Sequence, residues 1–189
     1  MLFEFGAMLY ENGDSNCGEQ VFELLKIVNR RKLWHDHNGK LTEYSFSNTI
    51  LFALRFGEFQ WAHKFIFDNA DHIDSDESKE IVDYNLACYH FYRAQAQTGD
   101  TTNDYELALD HISKVNSHFY LKRLSIFDIL IITYYELDEI DRMFYQLDSY
   151  SHYLKVCRNL IPPPLYGKQQ NFNKLAHTLG KLKSDFRKK

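Results

Sequence analysis

His35-Asp36-His37 is the one run in this sequence where two imidazoles stand close enough along the chain to share a cation. Zinc asks for four N, S or O ligands, usually spread over two spaced pairs. Here Asn38-Gly39 follows at once, and neither a Cys nor a further His lies nearby. A polar turn is the expectation. Asp74 to Ser78 reads DSDES and gathers carboxylates, yet it lacks the Gly and the closing Glu of a calcium loop. It fits a solvated linker that charges the first turn of the following helix, where negative charge is favourable. Glu136, Asp138, Glu139 and Asp141 flank a turn without the His partners that a two-metal centre would need. His111 and His118 are separated by a turn at Asn116-Ser117, whereas His63, His90 and His152 fall in helical stretches, where one hydrogen bond satisfies a partly buried ring. The sequence contains no HExxH, GxSxG, phosphate-cradling loop or GxGxxG. No catalytic residue, cofactor or metal ligand is therefore assigned, and any catalysis would need groups converging from distant helices.

The elements that would position such groups are helices. Over 189 residues the chain has only 8 Gly and 3 Pro, too few turn formers for a β-sandwich. It has 13 Tyr and 15 Phe, large rings that fill wide gaps between helices. Hydrophobic residues make up 44% and charged residues 25%, as in a folded domain. A net charge of -4 argues against a nucleic-acid partner, which needs a concentrated basic face. The basic end, Lys181 to Lys189, reads as a solvated helix terminus, where cations suit the dipole. Cys17, Cys88 and Cys157 are odd in number and far apart, which suits thiols in a reducing cytoplasm. No apolar run approaches the roughly 20 residues of a membrane span, so no membrane partner is expected. The first ten residues lack the marks of a signal peptide.

Apolar periodicity predicts about eight helical segments. Leu2 to Tyr10 looks like the end of a helix. A second spans Glu19 to about Leu33, with Val21, Leu24, Leu25 and Val28 on one face. Thr42 is a candidate N-cap for the stretch that carries Phe46, Ile50 and Ala53, and Gly57 ends it by tolerating positive φ. Its partner runs from Phe59 to about Asn69. Further segments run from Ser78 to about Gln97, from Tyr105 to Val115, from Phe119 to Leu137 and from Glu139 to about Arg158. The segment with "IFDILII" at its middle could be a buried strand if taken alone, but its length and flanks favour a buried helix. "IPPP" stops the chain from continuing as helix. A last helix, Leu165 to Phe186, shows Phe172, Leu175, Leu179 and Leu182 on its apolar face. The expected class is all-α, with at least roughly 60% helix.

Three pairs share a pattern of turn, large residue, small residue and large residue: Gly57, Phe59, Ala62, Ile66; Tyr105, Ala108, Ile112; and Asp138, Ile140, Met143, Leu147. With "SFSNTILFALRFGEFQWAHKFI", "DYNLACYHF" and "ITYYELDEID", this resembles the tetratricopeptide repeat (TPR) and is similar to TPR-like proteins of bacteria over most of residues 40 to 185. Pair two departs from the pattern around "AQAQTGDTTN". Pair three departs with Asp138 where the family has Gly and Met143 where it has Ala.

The resemblance implies one helical-repeat domain over 1–189, an antiparallel α-solenoid. In it, 1–39 would be an atypical N-terminal repeat, 40–161 three TPR-like pairs and 162–189 a capping helix. Because Met1 to Tyr10 reads as the second half of a pair, the chain is expected to be the C-terminal part of a longer array. The resemblance also implies a scaffold or adaptor that holds a protein or peptide in a concave groove lined by the first helix of each pair. Counting back from Gly57 and Asp138 puts Tyr44, Ser47, Leu51 and Arg55 on that face in pair one. In pair three the same count gives Ser125, Asp128, Ile132, Tyr135 and Glu136; Tyr84, Phe91 and Tyr92 are the candidates in pair two. Tyr and Arg suit such a surface because they carry most interface energy. Two other readings stand beside it: a regulatory or sensor domain with a small ligand in a helical cavity, and an enzyme without a sequence signature.

Overall fold

The computed structural model describes residues 15–187, with side chains from Gln20 onward. The expected helix at Leu2–Tyr10 lies outside these residues. Helix makes up 76% of the structure, and the described residues form no strand. Among the described residues the eight α-helices are α1 (Ser15–Arg30), α2 (Glu43–Arg55), α3 (Phe59–Asn69), α4 (Ser78–Ala96), α5 (Thr102–Ile112), α6 (Tyr120–Glu136), α7 (Ile140–Val156) and α8 (Pro163–Arg187). None is long and apolar enough to cross a membrane. The chain divides into two compact units, one ending at Asp104 and one beginning at Tyr105.

In the first unit α2, α3 and α4 pack on one another, and α1 packs on α2. Thr42 caps α2, its Oγ1 accepting from the Ser45 N–H at 3.2 Å. That hydrogen bond satisfies one of the donors that a helix N-terminus leaves unpaired. Phe46, Ile50, Ala53, Ala62 and Ile66 are wholly enclosed where α2 meets α3. Burying a Phe or Ile fully stabilises by about 1.5–3 kcal/mol, so this seam carries much of the unit. Phe22 of α1 closes its edge by meeting the Trp61 ring edge-on at 5.3 Å.

The HDH run is the turn that its Asn-Gly suggested. Asp36 Oδ1 accepts from the backbone N–H groups of Asn38 (2.9 Å) and Lys40 (2.8 Å), and Gly39 has φ +75°. These bonds, that from Lys40 foremost, hold the Asp36 carboxyl below the usual range. Leu41 then pairs with the α3–α4 connection, its N–H donating to His72 O at 2.7 Å and its carbonyl accepting from Asp74 N at 2.8 Å.

In the second unit α6 packs on α7 and α7 on α8. Leu124, Phe127, Ile131, Met143, Leu147 and Tyr150 lie at the centre of its core. The "IFDILII" stretch is helical throughout, with Ile126, Phe127, Ile129 and Ile131 all buried. α7 has already ended at Val156, and the prolines that follow begin the next helix. Pro163 and Pro164 occupy the first turn of α8, where a missing N–H costs nothing, and Tyr166 N–H reaches back to Pro162 O at 2.9 Å.

The turns closing α2 and α6 are built alike. Gly57 has φ +73° and Asp138 φ +64°. Gly57 N–H bonds to Leu54 O (3.0 Å) and Glu58 N–H to Ala53 O (3.0 Å); Asp138 N–H bonds to Tyr135 O (3.2 Å) and Glu139 N–H to Tyr134 O (2.8 Å). Each is the paired-bond stop that a left-handed residue permits at a helix C-terminus. Burial matches at the same offset: Phe46 with Phe127, Ile50 with Ile131, Ala62 with Met143 and Ile66 with Leu147.

α8 departs from expectation in how it sits. Its packed face holds Gln169, Ala176 and Gly180, not the leucines. A Cβ on Gly180 would stand 3.2 Å from the Phe144 ring, so the helix rests on α7 through its smallest residue. Leu175, Leu179 and Leu182 point outward.

Candidate functional site

The residues expected to line a groove divide between the units. In the first, Tyr44 and Arg55 are exposed on α2, Leu51 is half-buried, and Ser47 is used inside the fold. Its Oγ accepts from Asn85 Nδ2 at 2.9 Å, and the wholly buried Asn85 also donates to Ile81 O at 2.8 Å. This joins α2 to α4. Tyr84 and Phe91 are core residues, and Tyr92 is half-buried with its ring 5.6 Å from that of Phe91.

In the second unit Glu136 is exposed, whereas Ser125 and Ile132 are half-buried. Tyr135 is half-buried beneath the Lys183 ammonium, which stands 4.3 Å from its ring centre and donates to its carbonyl. Asp128 turns inward. Its carboxyl meets Tyr150 of α7 and Gln169 of α8, and its Oδ1 is enclosed without a hydrogen-bond partner. Tyr150 O–H donates to Gln169 Oε1 at 2.8 Å. Burial pushes the Asp128 carboxyl up to about 6, against the opposing pull of Tyr150, Gln169 and the charge of Lys168. The loss of water is the dominant cause. Burial, with Asp128 beside it, also raises the Tyr150 phenol far above its ordinary range.

Aromatic rings wall this centre. Phe127 stacks on Tyr150 at 4.8 Å and lies 5.5 Å from Tyr153; Phe172 of α8 meets Tyr150 at 6.5 Å. The Arg123 guanidinium lies 5.5 Å from the Phe127 ring and 5.7 Å from that of Tyr153. Burial and the neighbouring Cys157 push the Tyr153 hydroxyl up to about 12. A carboxyl that changes charge near neutral pH can hold or release a proton, or accept from a donor brought to Oδ1. Sequence reasoning named Asp128 but missed Tyr150 and Gln169. They sit 22 and 41 residues further on, on other helices, and no spacing rule connects them.

Two other polar centres lie in the first unit. Asp104 is buried and accepts from Arg93 through both oxygens, Nε reaching Oδ2 at 2.8 Å and Nη2 reaching Oδ1. His90 Nδ1 stands 3.0 Å from Oδ1, and Arg93 Nη1 donates to Tyr89 Oη at 2.8 Å. Burial works against the Asp104 charge, but Arg93 and His90 outweigh it and hold the carboxyl below its usual range. Such a bidentate pair is directional and strong, and here it fastens the start of α5 to α4. The ring of His35 meets that of His72 edge-on at 6.1 Å, and burial lowers its affinity for a proton. Among the described residues no three His, Cys, Asp or Glu side chains converge as a metal site.

An open cleft of about 470 Å³ lies on α7 and α8, lined by Phe144, Asp148, His177, Lys181, Ser184 and Asp185. No family model, curated protein or solved structure matches the chain.

Proposed function

We propose that the chain is a TPR-like interaction module that holds a protein or peptide segment against the first helices of its pairs. The observation that supports this reading is the shared turn at Gly57 and Asp138, with matching burial of the residues around it. Two hairpins of one design suit repeated binding surface better than a single reaction centre. In this reading α2 and α6 are equivalent, and Tyr44, Arg55 and Glu136 are the side chains that they offer to a partner. Tyr92 and Tyr135 contribute ring area, whereas Ser47 and Asp128 act from within. The reading assumes a reducing cytoplasm, in keeping with Cys88 and Cys157, which form no disulfide. A partner recovered by crosslinking through a photoreactive residue at Tyr44 is expected to bind Tyr44→Ala and Arg55→Ala more weakly by about 1–3 kcal/mol each. Both side chains are exposed, so the fold should stay intact. Unchanged affinity in both variants would overturn the groove.

A second reading, a sensor domain, is favoured by Asp128 alone. An enclosed carboxylate oxygen without a partner is a costly thing to keep, and a small donor ligand would relieve it.

A further inference from the structure

Tyr150 has one proton to donate and two acceptors within its reach. Its O–H goes to Gln169 Oε1 at 2.8 Å, tying α7 to α8, while the Asp128 carboxyl of α6 faces the same pair. Tyr150 is wholly enclosed, Gln169 is buried, and Asp128 Oδ1 is enclosed without a hydrogen-bond partner. Each element around the carboxyl contributes differently. α7 brings Tyr150, which has Tyr153 beside it, and α8 brings Gln169 and the charge of Lys168. Lys168 is exposed, so water and salt screen its pull. On α6 itself, the Arg123 guanidinium lies over the Phe127 and Tyr153 rings.

We propose that Asp128, Tyr150 and Gln169 form a proton-gated latch for the start of α8. With the carboxyl protonated, its O–H can donate to the Tyr150 oxygen while the Tyr150 proton stays on Gln169. Neutral hydrogen bonds then join all three helices. When the carboxyl gives its proton to water, the carboxylate becomes the stronger acceptor and draws the Tyr150 proton to itself. Gln169 Oε1 is left buried without a donor, and a charge stands where water does not reach it. One motion relieves both costs, the lifting of α8 at Gln169, and it uncovers the Tyr150 and Phe172 rings that meet there. The rest of α8 is held by other means. Asn173 Nδ2 donates to Leu147 O at 3.1 Å, Gly180 seats on Phe144, and Lys183 and Arg187 pair with Asp138. The latch therefore frees the helix up to Asn173 and no further. Its direction follows from the carboxyl, which ionises at about 6 when enclosed and at its ordinary 3.8 once water reaches it. Closure is tightest on the acid side and weakens by about tenfold between pH 5 and 7.5. The latch needs no ligand and is separate from the groove on α2 and α6, so each reading can fail without the other.

The test is hydrogen exchange of the full chain, read by mass spectrometry at pH 5 and 7.5 and corrected for the intrinsic pH dependence of amide exchange. Amides of residues 165–172 are expected to lose about tenfold in protection over that range, while those of 180–187 and of α2 keep theirs. Asp128→Asn, neutral at every pH, should hold that protection constant, with circular dichroism unchanged. Tyr150→Phe removes the shared donor and should leave 165–172 open already at pH 5. In the unsubstituted chain the carboxyl carbon resonance of Asp128 should titrate at about 6, and the fall in protection should level off above it. Protection of 165–172 that does not change with pH would overturn the proposal, as would a fall in Asp128→Asn equal to that of the parent. So would a carboxyl that titrates at the ordinary 3.8. A loss shared evenly by α6, α7 and the whole of α8 would also overturn it, making Asp128 a general burden on the unit.

Discussion

The α2–α3 and α6–α7 hairpins reverse direction through the same pair of backbone hydrogen bonds, yet they solve the positive-φ position differently. The first uses Gly57, which adopts φ +73° without a steric penalty. The second uses Asp138, a residue that resists this conformation but offers a carboxylate to the Lys183 and Arg187 side chains of α8. A backbone liability thus becomes an anchor for the next element. The hairpins differ again one helix earlier. Ser47 and Asp128 stand at matching distances before their turns, and both face inward to a neighbouring helix. Ser47 closes a neutral hydrogen bond to Asn85, whereas Asp128 brings a carboxyl that must lose its charge or remain poorly solvated. One geometry carries a silent joint in the first unit and a titrating one in the second.

The most forceful way to break the comparison is at its matched cores. Phe46→Ala and Phe127→Ala should each cost about 3–5 kcal/mol in urea unfolding. If the hairpins are equivalent, the two losses will agree within about 1 kcal/mol, allowing for context. A much smaller loss at Phe127, which is stacked on Tyr150, would show that the second core is looser.

The titrating joint predicts a difference in pH dependence. Asp128 binds its proton more tightly folded than unfolded, from an ordinary value of 3.8 to about 6. The unfolded chain therefore ionises first as pH rises. The associated stability is fully present below pH ~4 and is lost by pH ~7, a loss of roughly 3 kcal/mol. Urea titrations at several pH values should show this fall in the parent and a markedly flatter profile in Asp128→Asn.

At the turns, Gly57→Ala should cost about 1–2 kcal/mol through backbone strain alone. The nearest atom to the added Cβ, Phe59 Cε2, is 3.9 Å away and leaves room for it. Asp138→Gly removes strain and the ion pairs together, so thermal melts should move little, by roughly 0.5 kcal/mol or less. The salt sensitivity of α8 in hydrogen exchange should disappear in that variant.

The smallest effect sharpens the contrast at the helix starts. Thr42→Ala should lose about 1 kcal/mol, whereas Phe119→Thr should gain up to about 1 kcal/mol. Phe119 holds the N-cap position of α6 in extended backbone and gives no side-chain bond there. Equal and opposite shifts in the unfolding midpoint would confirm that capping separates the two.

Much of this architecture was legible in the residues. Thr42, Gly57 and the prolines after Ile161 announced helix boundaries because capping, positive φ and a missing N–H act locally. The equivalence of Asp138 with Gly57 was also readable, because flanking apolar residues repeat at one offset. The seat of α8 was not. Periodicity identified Phe172, Leu175, Leu179 and Leu182 as one face, but a stripe does not state whether it packs inward or waits for a partner. Gly180, which decided the matter, looks like a weak helix residue until Phe144 is seen against it. The candidate site was half legible. Asp128 could be counted from the turn, but its partners come from two later helices, and the burial that shifts its proton affinity is a property of all three.

The bond between Arg93 and Asp104 has a practical consequence for engineering the chain. It pins the far side of the exposed loop from Gln97 to Thr101, at whose centre Gly99 has φ +116° and open space where a Cβ would stand. Because both ends are held by side chains outside the loop, its length is nearly a free variable. Doubling it costs only about 0.6 kcal/mol in closure entropy. A protease site or a fluorescent reporter could be spliced in at Gly99, and the chain cut or lit there without touching either helix.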